Sequence, residues 1–491
     1  MCILGRIQNL GGEDKKSKMW YPFCTQNKPR KGEPISMSCI RESIHQTGGE
    51  LAELLVAVEN APILAAMMLA AWQLARAIAV AVVEDMLAER AQRPTEWPTC
   101  EKCGKRLESK GFVERTLRGL IGTVRWKRRI GRCPNRCKIG QVAPLDTELG
   151  LRPHQRVSDV LMRAACALAV FVPFGTAREL LALLTGIEVS ATSIWNWVQL
   201  AGARAKARIA RQLQALLRGE LPEAETMEQE VAELPLLIGA DGVMVPFRPN
   251  GGQPKGRTVW REIKVGILAR LGQRVTKTGK TVTQLLHRRL VAVRGDIDAL
   301  QPLLWIEAVR QGILTAKTVV WLSDGGRGFW RLFRDRFEEH AQGILDFYHA
   351  AQNLWKGAKA WLDGRTQRAR QWFVLARRKL RQGKADEVLA DIKAALALEG
   401  LPNSARKTLT NLYSYLDTHR DHIDYARFKE LGLPIGSGLV ESACKWLIQQ
   451  RFKGVGMRWS ADGFDHLLYL RLAWVNERFD DLFGLAAPAA S

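Results

Sequence analysis

The chain has 491 residues, 47% of them apolar, which is enough for sizeable cores and, on length alone, about three domains. Its 73 lysines and arginines stand against 50 aspartates and glutamates, giving a formal charge of +23 and a pI near 9.9. That excess favours a polyanionic partner, most commonly nucleic acid, but excludes no particular base sequence, because phosphate contacts carry no base information.

Residues 1–49 scatter charges, glycines and prolines with no apolar run of the kind a signal peptide needs, and read as a flexible basic leader. Residues 50–96 are helical and rich in alanine and leucine. Asn60–Val83 has the length of a membrane span, but Gln73 and Arg76 at its centre favour a buried or partner-facing helix pair. No membrane association is expected, and these helices are the candidate surface for pairing subunits into a homo-oligomer.

Residues 97–142 carry two cysteine pairs, Cys100/Cys103 in C-x-x-C and Cys133/Cys137 in C-x-x-x-C spacing. Four thiolates delivered from two turns suit a tetrahedral structural Zn²⁺, although the gap between the pairs and the second spacing depart from the tightest pattern. Gly111–Gly131 between them alternates around a glycine-containing turn, as a β-hairpin does, so a zinc ribbon is expected. Disulfides are a weak alternative, since the remaining Cys2, Cys24, Cys39, Cys166 and Cys444 show no pairing logic. Arg118, Arg125, Lys127, Arg128 and Arg129 populate the hairpin around Trp126. They are candidate DNA contacts, with a merely solvated strand face as the competing reading.

In residues 150–220, Thr176–Leu184 and Ser190–Ala201 are short helical patterns around the turn Thr185-Gly186-Ile187, and Ser190 is placed to cap the second. A helix-turn-helix and a plain helical hairpin fit this equally well; the neighbouring ribbon and the net charge tilt the reading toward DNA. A basic helix, Ala203–Glu220, then runs into a Glu- and Pro-rich linker.

The first part of a core, residues 232–350, opens on LPLLIGADGVMVPF, where Asp241 is the one charge in a strongly apolar run. Burying it is costly unless something compensates, and a metal ion is one such partner. Glu262–Arg270 and Leu285–Arg294 read as strands and Asp296–Gln311 as a helix. Lys317–Leu322 is a strand ending at Ser323-Asp324-Gly325-Gly326. A helix with Phe329, Leu332, Phe333 and Phe337 on one stripe follows. The short strand Gly343–Leu345 then delivers Asp346, with His349 three places on. Residues 351–431 are helical throughout, too long for a loop and therefore a subdomain. In 432–485, Pro434–Gly438 is a breaker cluster before a helix with Glu441 in its first turn. Asp324 also reads as an ordinary turn residue and Glu441 as a helix-surface partner of Lys445. If the three carboxylates meet, they form a nuclease-type site able to hold two magnesium ions for phosphodiester chemistry.

The segments ADGVMV, LSDGGRGFW, ILDFYHAAQNLWKGA and PIGSGLVESACKWLIQQRFKGVGMRW resemble the DDE transposases of bacterial insertion sequences, specifically the ISKra group related to Mutator elements. The resemblance runs from about Cys100 to Phe483 and is most specific in the last segment. It implies an RNase H-like core, a mixed sheet flanked by helices with an all-α insertion. Asp241, Asp324 and Glu441 would ligate two Mg²⁺ or Mn²⁺ ions per active site. Asp346 and His349 look like the D-x-x-H of Mutator relatives, and Arg458-Trp459 like the group's arginine-tryptophan pair. Which of Asp324 and Asp346 is the second ligand stays open at this point. The strand and helix order of the core agrees independently with an RNase H-like fold.

The expected protein is thus a multidomain α/β DNA transposase of the cytoplasm and nucleoid. It would cut double-stranded DNA at terminal inverted repeats and join 3′ ends to a target. Two other functions fit the same residues, a DNA-binding regulator with an inactive core and a nuclease without strand transfer.

Overall fold

The computed structural model describes residues 41, 44, 49–249, 256–279 and 281–484. The basic leader therefore lies, apart from Arg41, Ile44 and Gly49, outside the described residues. The chain divides into two compact units, residues 1–161 and 162–491.

In the first unit, helices α1 (Gly49–Glu59) and α2 (Leu64–Gln92) pack through Leu55 and Leu74. Strands β1 (Glu108–Arg118) and β2 (Thr123–Arg132) form the antiparallel hairpin that the alternation predicts, and a short α3 (Pro144–Glu148) follows. On β2, Val124, Trp126, Arg128 and Ile130 point inward while Arg125 and Lys127 face solvent, the period-2 consequence of one covered face.

The hairpin turn is held by one stripe of α2. Arg76 donates to the Ile121 carbonyl at 3.3 Å, Val80 lies against Gly122, and the Glu84 carboxylate accepts the Arg125 backbone N–H at 2.7 Å. Helix α2 is long and apolar enough to cross a membrane by length and composition, yet almost none of its apolar stretch is buried, Leu74 being the exception. The buried half of the expectation therefore fails: Leu64, Met68, Leu69 and Trp72 are exposed.

The second unit takes up most of α4 (Asp159–Ala169), then α5 (Phe174–Thr185) and α6 (Ala191–Leu217). The two helices of the expected helix-turn-helix are present. Gly186 in the left-handed region ends the first, and the Ser190 hydroxyl accepts the Ser193 N–H at 3.0 Å to start the second. Helix α6 runs on past Ala201, so the basic helix expected over Ala203–Glu220 is its continuation, ending at Leu217. At Gly202 its backbone meets that of helix α17 (Ala461–Val475) so closely that an added Cβ would sit 2.3 Å from the His466 carbonyl oxygen. Small-residue contact thus makes the second half of α6 a strut of this unit.

After a one-turn α7 (Gln229–Ala232) come β3 (Leu236–Phe247), β4 (Val259–Val275), β5 (Thr281–Val293), α8 (Ile297–Arg310), β6 (Val319–Ser323), α9 (Arg327–Arg336), β7 (Gln342–Leu345) and α10 (Phe347–Leu362). They build one mixed sheet in the order β5-β4-β3-β6-β7. The β5, β4 and β3 neighbours are antiparallel, and β3, β6 and β7 are parallel. β6 is buried along its whole length, which is why it reads as a continuous apolar run. Helices cover both faces: Gly266 of β4 admits Leu304 of α8 on one side, and Gly239 of β3 admits Val440 on the other. At the β5 edge, the Asn476 side-chain amide pairs with both the N–H and the carbonyl of Leu290 at 2.8 Å, blunting an otherwise open strand.

Residues 351–431 are helical as expected, with α11 (Gln367–Arg381), α12 (Ala385–Leu396), α13 (Asn403–Thr418) and α14 (Tyr425–Glu430). Their apolar residues Leu380, Leu389, Ile392 and Leu412 belong to the same core cluster as Leu237, Trp321 and Phe333 of the sheet layer. The insertion is therefore packed into the core. The chain then enters α15 (Gly438–Cys444), one π turn (Lys445–Gln449) and α16 (Gln450–Phe452).

Candidate active site

Because β3 and β6 are parallel with Ala240 opposite Ser323, Asp241 and Asp324 each fall one residue beyond the paired segment. They emerge side by side where β6 ends. Helix α15 reaches them because Gly239 has no side chain: a Cβ there would lie 2.4 Å from Val440. This close approach sets Glu441, the next residue, over the same strand end. Asp241, Asp324, His349 and Glu441 line one cavity of about 380 Å³, together with Cys444 and Lys445.

The electrostatics agree with the geometry. Burial raises the Asp241 carboxyl above its ordinary range, and the neighbouring Asp324 and Glu441 carboxylates push it further. The Gly242 N–H and His349 oppose the rise. Burial, with Asp241 and Glu441 nearby, also holds the Cys444 thiol well above its usual range, so it stays protonated and is no thiolate nucleophile.

Of the three carboxylates, Asp241 accepts one N–H from Gly242 at 2.7 Å and Asp324 one from Gly326 at 3.0 Å. Among the described residues none of the three is in a salt bridge. Oxygen donors converging with free lone pairs and uncompensated charge suit a hard divalent cation. Among the described residues, the donor group that closes on a single ion position is the cysteine set described below, with its atoms within 4.8 Å of one another, and not these three carboxylates. Two ions roughly 4 Å apart do not require that, because ligands on opposite sides of such a pair stand well separated.

Asp346 has a different place. It is 1% exposed and caps α10, with one oxygen accepting the His349 N–H at 2.7 Å and the other the Ser437 N–H. It thereby ties the turn before α15 to the start of α10, while His349, one turn along, faces the cavity. Of the two aspartates, Asp324 is the one lining the cavity.

Arg458 and Trp459 lie at the far end of the Glu441 helix. The Trp459 indole N–H donates to the Phe452 carbonyl at 2.9 Å, and its backbone pairs with Pro246 and Arg248 at the end of β3. Arg458 donates to the Gly256 carbonyl at 2.7 Å. Both fasten the helix end to the β3–β4 arm.

Further side chains shape the Asp324 turn with no cue in the sequence beyond the paired glycines. The Trp330 indole donates to the Asp324 carbonyl at 2.7 Å, and its ring lies 4.5 Å from each of the His419 and His422 rings. Tyr415 of α13 fills the space a Cβ on Gly325 would take, 2.1 Å from it. Burial raises the Tyr415 hydroxyl, with Asp324 and Asp346 adding to the rise, so it stays protonated beside the site.

In the first unit, the thiols of Cys100, Cys103, Cys133 and Cys137 all lie within 4.8 Å of one another, and none is in a disulfide. Cys103 and Cys133 sulfurs are 3.4 Å apart. Four sulfurs so placed fit one tetrahedral Zn²⁺. Arg118, Arg125 and Lys127 are exposed on the hairpin, and Arg129 lies over the Phe112 ring at 5.2 Å. Arg128 differs from these: its guanidinium is buried, bonded to Asp146 at 3.1 Å and to the Val113 carbonyl at 2.9 Å, and is not available to a phosphate.

No family model matches the chain. It is 26% identical over 419 residues to a "UPF0236 protein in vanSb 3'region" of Streptococcus gallolyticus, covering 83% of this chain and 83% of that one. Among solved structures it is matched with the Drosophila P element transposase strand transfer complex at 11% identity, covering 68% of this chain and 96% of that one, with a TM-score of 0.29. At that score the two folds are not shown to correspond.

Proposed function

We propose that the chain is a DDE-type DNA transposase that cleaves DNA at the ends of an insertion sequence and transfers the freed 3′-hydroxyls into target DNA. The observation that carries this is the meeting of Asp241, Asp324 and Glu441 in one cavity from two adjacent strands and a late helix. The sheet order β5-β4-β3-β6-β7 supports an RNase H-like core, and the motif resemblance to the ISKra group supports the reaction.

In this reading Asp241, Asp324 and Glu441 would hold two Mg²⁺ or Mn²⁺ ions. When bound, these supply a lowered pKa at the attacking oxygen and neutralise charge on the scissile phosphate. The chain's own part is positional. The β3–β6 pairing fixes the two aspartates, the Gly239–Val440 contact fixes Glu441, and the Asp346 cap fixes His349 beside them. Protonated Cys444 closes the floor against water without offering a nucleophile. Cys100, Cys103, Cys133 and Cys137 would hold a structural Zn²⁺. Arg118, Arg125, Lys127 and Arg129 would contact the DNA backbone.

The test incubates purified protein with labelled end-bearing DNA and a target plasmid in Mg²⁺ or Mn²⁺. The wild type should nick and then join, and Asp241→Asn, Asp324→Asn and Glu441→Gln should do neither while keeping the wild-type Tm. Asp346→Asn should cost stability along with activity. Binding without cutting would favour a regulator with an inert core, and nicking without joining a nuclease.

A further inference from the structure

The helix that brings Glu441 to the cavity is interrupted by the π turn Lys445–Gln449, in which the Gln450 N–H reaches back five residues to the Lys445 carbonyl. Such turns are rare and cluster at functional positions. In an uninterrupted α-helix each four-residue step overshoots a full turn by about 40°, so three steps would carry a side chain about 120° round. The wider π turn undershoots instead and offsets much of the drift. The residues at four-residue steps from Glu441 are Lys445, Gln449 and Lys453, and all four line the same cavity.

A π turn leaves backbone acceptors open, and here one side chain closes them. Arg471, 2% exposed, donates to the Trp446 carbonyl at 2.7 Å and to the Leu447 carbonyl at 2.9 Å, and also to Val170. Its guanidinium stacks 5.0 Å from the Trp446 ring. Among the described residues no carboxylate pairs with it, and burial lowers its pKa to about 10, so the cation is retained at neutral pH. A buried, charged arginine is a costly way to hold a helix unless that helix shape is needed.

The row has the chemistry of a phosphodiester contact. Lys445 and Lys453 are exposed, and among the described residues neither is in a salt bridge. Lys453 rests 5.6 Å from the exposed Trp260 ring. We propose that Lys445, Gln449 and Lys453 form a track that grips the sugar-phosphate backbone of the strand lying beside Glu441, kept in line by the π turn that Arg471 closes. This rests on the transposase reading for the identity of the strand. The lysines are substrate-binding residues and Arg471 a positioning residue.

The test measures affinity for end-bearing DNA by fluorescence anisotropy across a salt series with no Mg²⁺ or Mn²⁺ added and no chelator, using the zinc-loaded full chain. Lys445→Gln and Lys453→Gln should each flatten the dependence of log K on log[salt] by about one contact, a slope change near 0.9, and Lys453→Arg should restore it. Arg471→Lys, which touches no DNA in this scheme, should flatten the slope as Lys453→Gln does; a merely structural arginine would lower Tm and leave the slope alone. If Arg471→Lys fails to fold, the lysine variants decide. In Mg²⁺ the lysine variants should raise KM more than they lower kcat. Unchanged slopes in both lysine variants would overturn the track, even with an active wild type. Flattened slopes with a wild type that never cuts would keep the track and sink the transposase reading.

Discussion

Glycine 239 is the residue on which the approach of α15 to β3 turns. Gly239→Ala would place a methyl 2.4 Å from Val440, so the helix must retreat by an ångström or more. Displacements of that size cost on the order of a hundredfold in rate. The variant should fold with a modestly lowered Tm and lose most cleavage while binding DNA normally; unchanged cleavage would show that the contact does not place Glu441.

Acid stability separates two other residues. Burial drives His419 from 6.5 down to about 4, with His422 adding to it, so its neutral form is the folded one. Its contribution is complete above pH 6.5 and is lost as pH falls toward 4. Glu225 is held at about 2, below the usual 4.5: burial opposes this, but Arg478 and Arg289 overcome it. Its contribution, on the order of 3 kcal/mol, is present above pH 4.5 and lost as pH falls toward 2. Urea unfolding between pH 7 and 2.5 should therefore show two successive losses. His419→Phe should remove the first and Glu225→Gln the second; a single loss shared by both variants would contradict the assignment.

At this scale the sequence was readable where one residue broke a local pattern. Asp241 stands alone in an apolar run, and Asp324 precedes two glycines. Arg128 was misplaced because its inward direction follows from hairpin register and the Asp146 partner, neither of which its basic neighbours betray. Tyr415 and Arg471 were invisible for the same reason: each acts on a segment remote in the chain.

Among the elements, the hairpin between the cysteine pairs would depend most on a group outside the chain, the Zn²⁺ proposed for Cys100, Cys103, Cys133 and Cys137. The small cluster around its sulfurs has few buried residues, chiefly Leu107 with the cysteines themselves. A cluster that small would not hold the cysteine end of the ribbon without a metal, although Val124, Trp126 and Ile130 of β2 are buried as well. Chelation should raise amide exchange across Glu108–Arg132 and leave β3–β7 protected, and Cys133→Ser should do the same without chelator. Protection that survives zinc removal would mean the ribbon stands on packing alone. The strands and helices of the sheet were legible to within a few residues because period and breakers change together at their ends. What periodicity could not show was the π turn, since Lys445–Gln449 keeps an ordinary helical composition.

For the whole molecule, the charge of +23 would set how it meets DNA in the proposed role. Binding should weaken steeply between 50 and 200 mM salt for end-bearing and unrelated DNA alike, with base preference seen only as the remaining difference. The helical insertion shares its core with the sheet, so deleting residues 351–431 should unfold the second unit, as a calorimetric transition would report. The central claim is that acidic side chains from distant parts of the chain jointly bind divalent cations. Its most direct measurement is Mn²⁺ binding by electron paramagnetic resonance in the presence of end-bearing DNA, after the cysteine site is filled with zinc. Two Mn²⁺ per chain, lost in Asp241→Asn and reduced in Asp324→Asn and Glu441→Gln, is the predicted result; Mn²⁺ binding that is absent, or indifferent to all three substitutions, would contradict it.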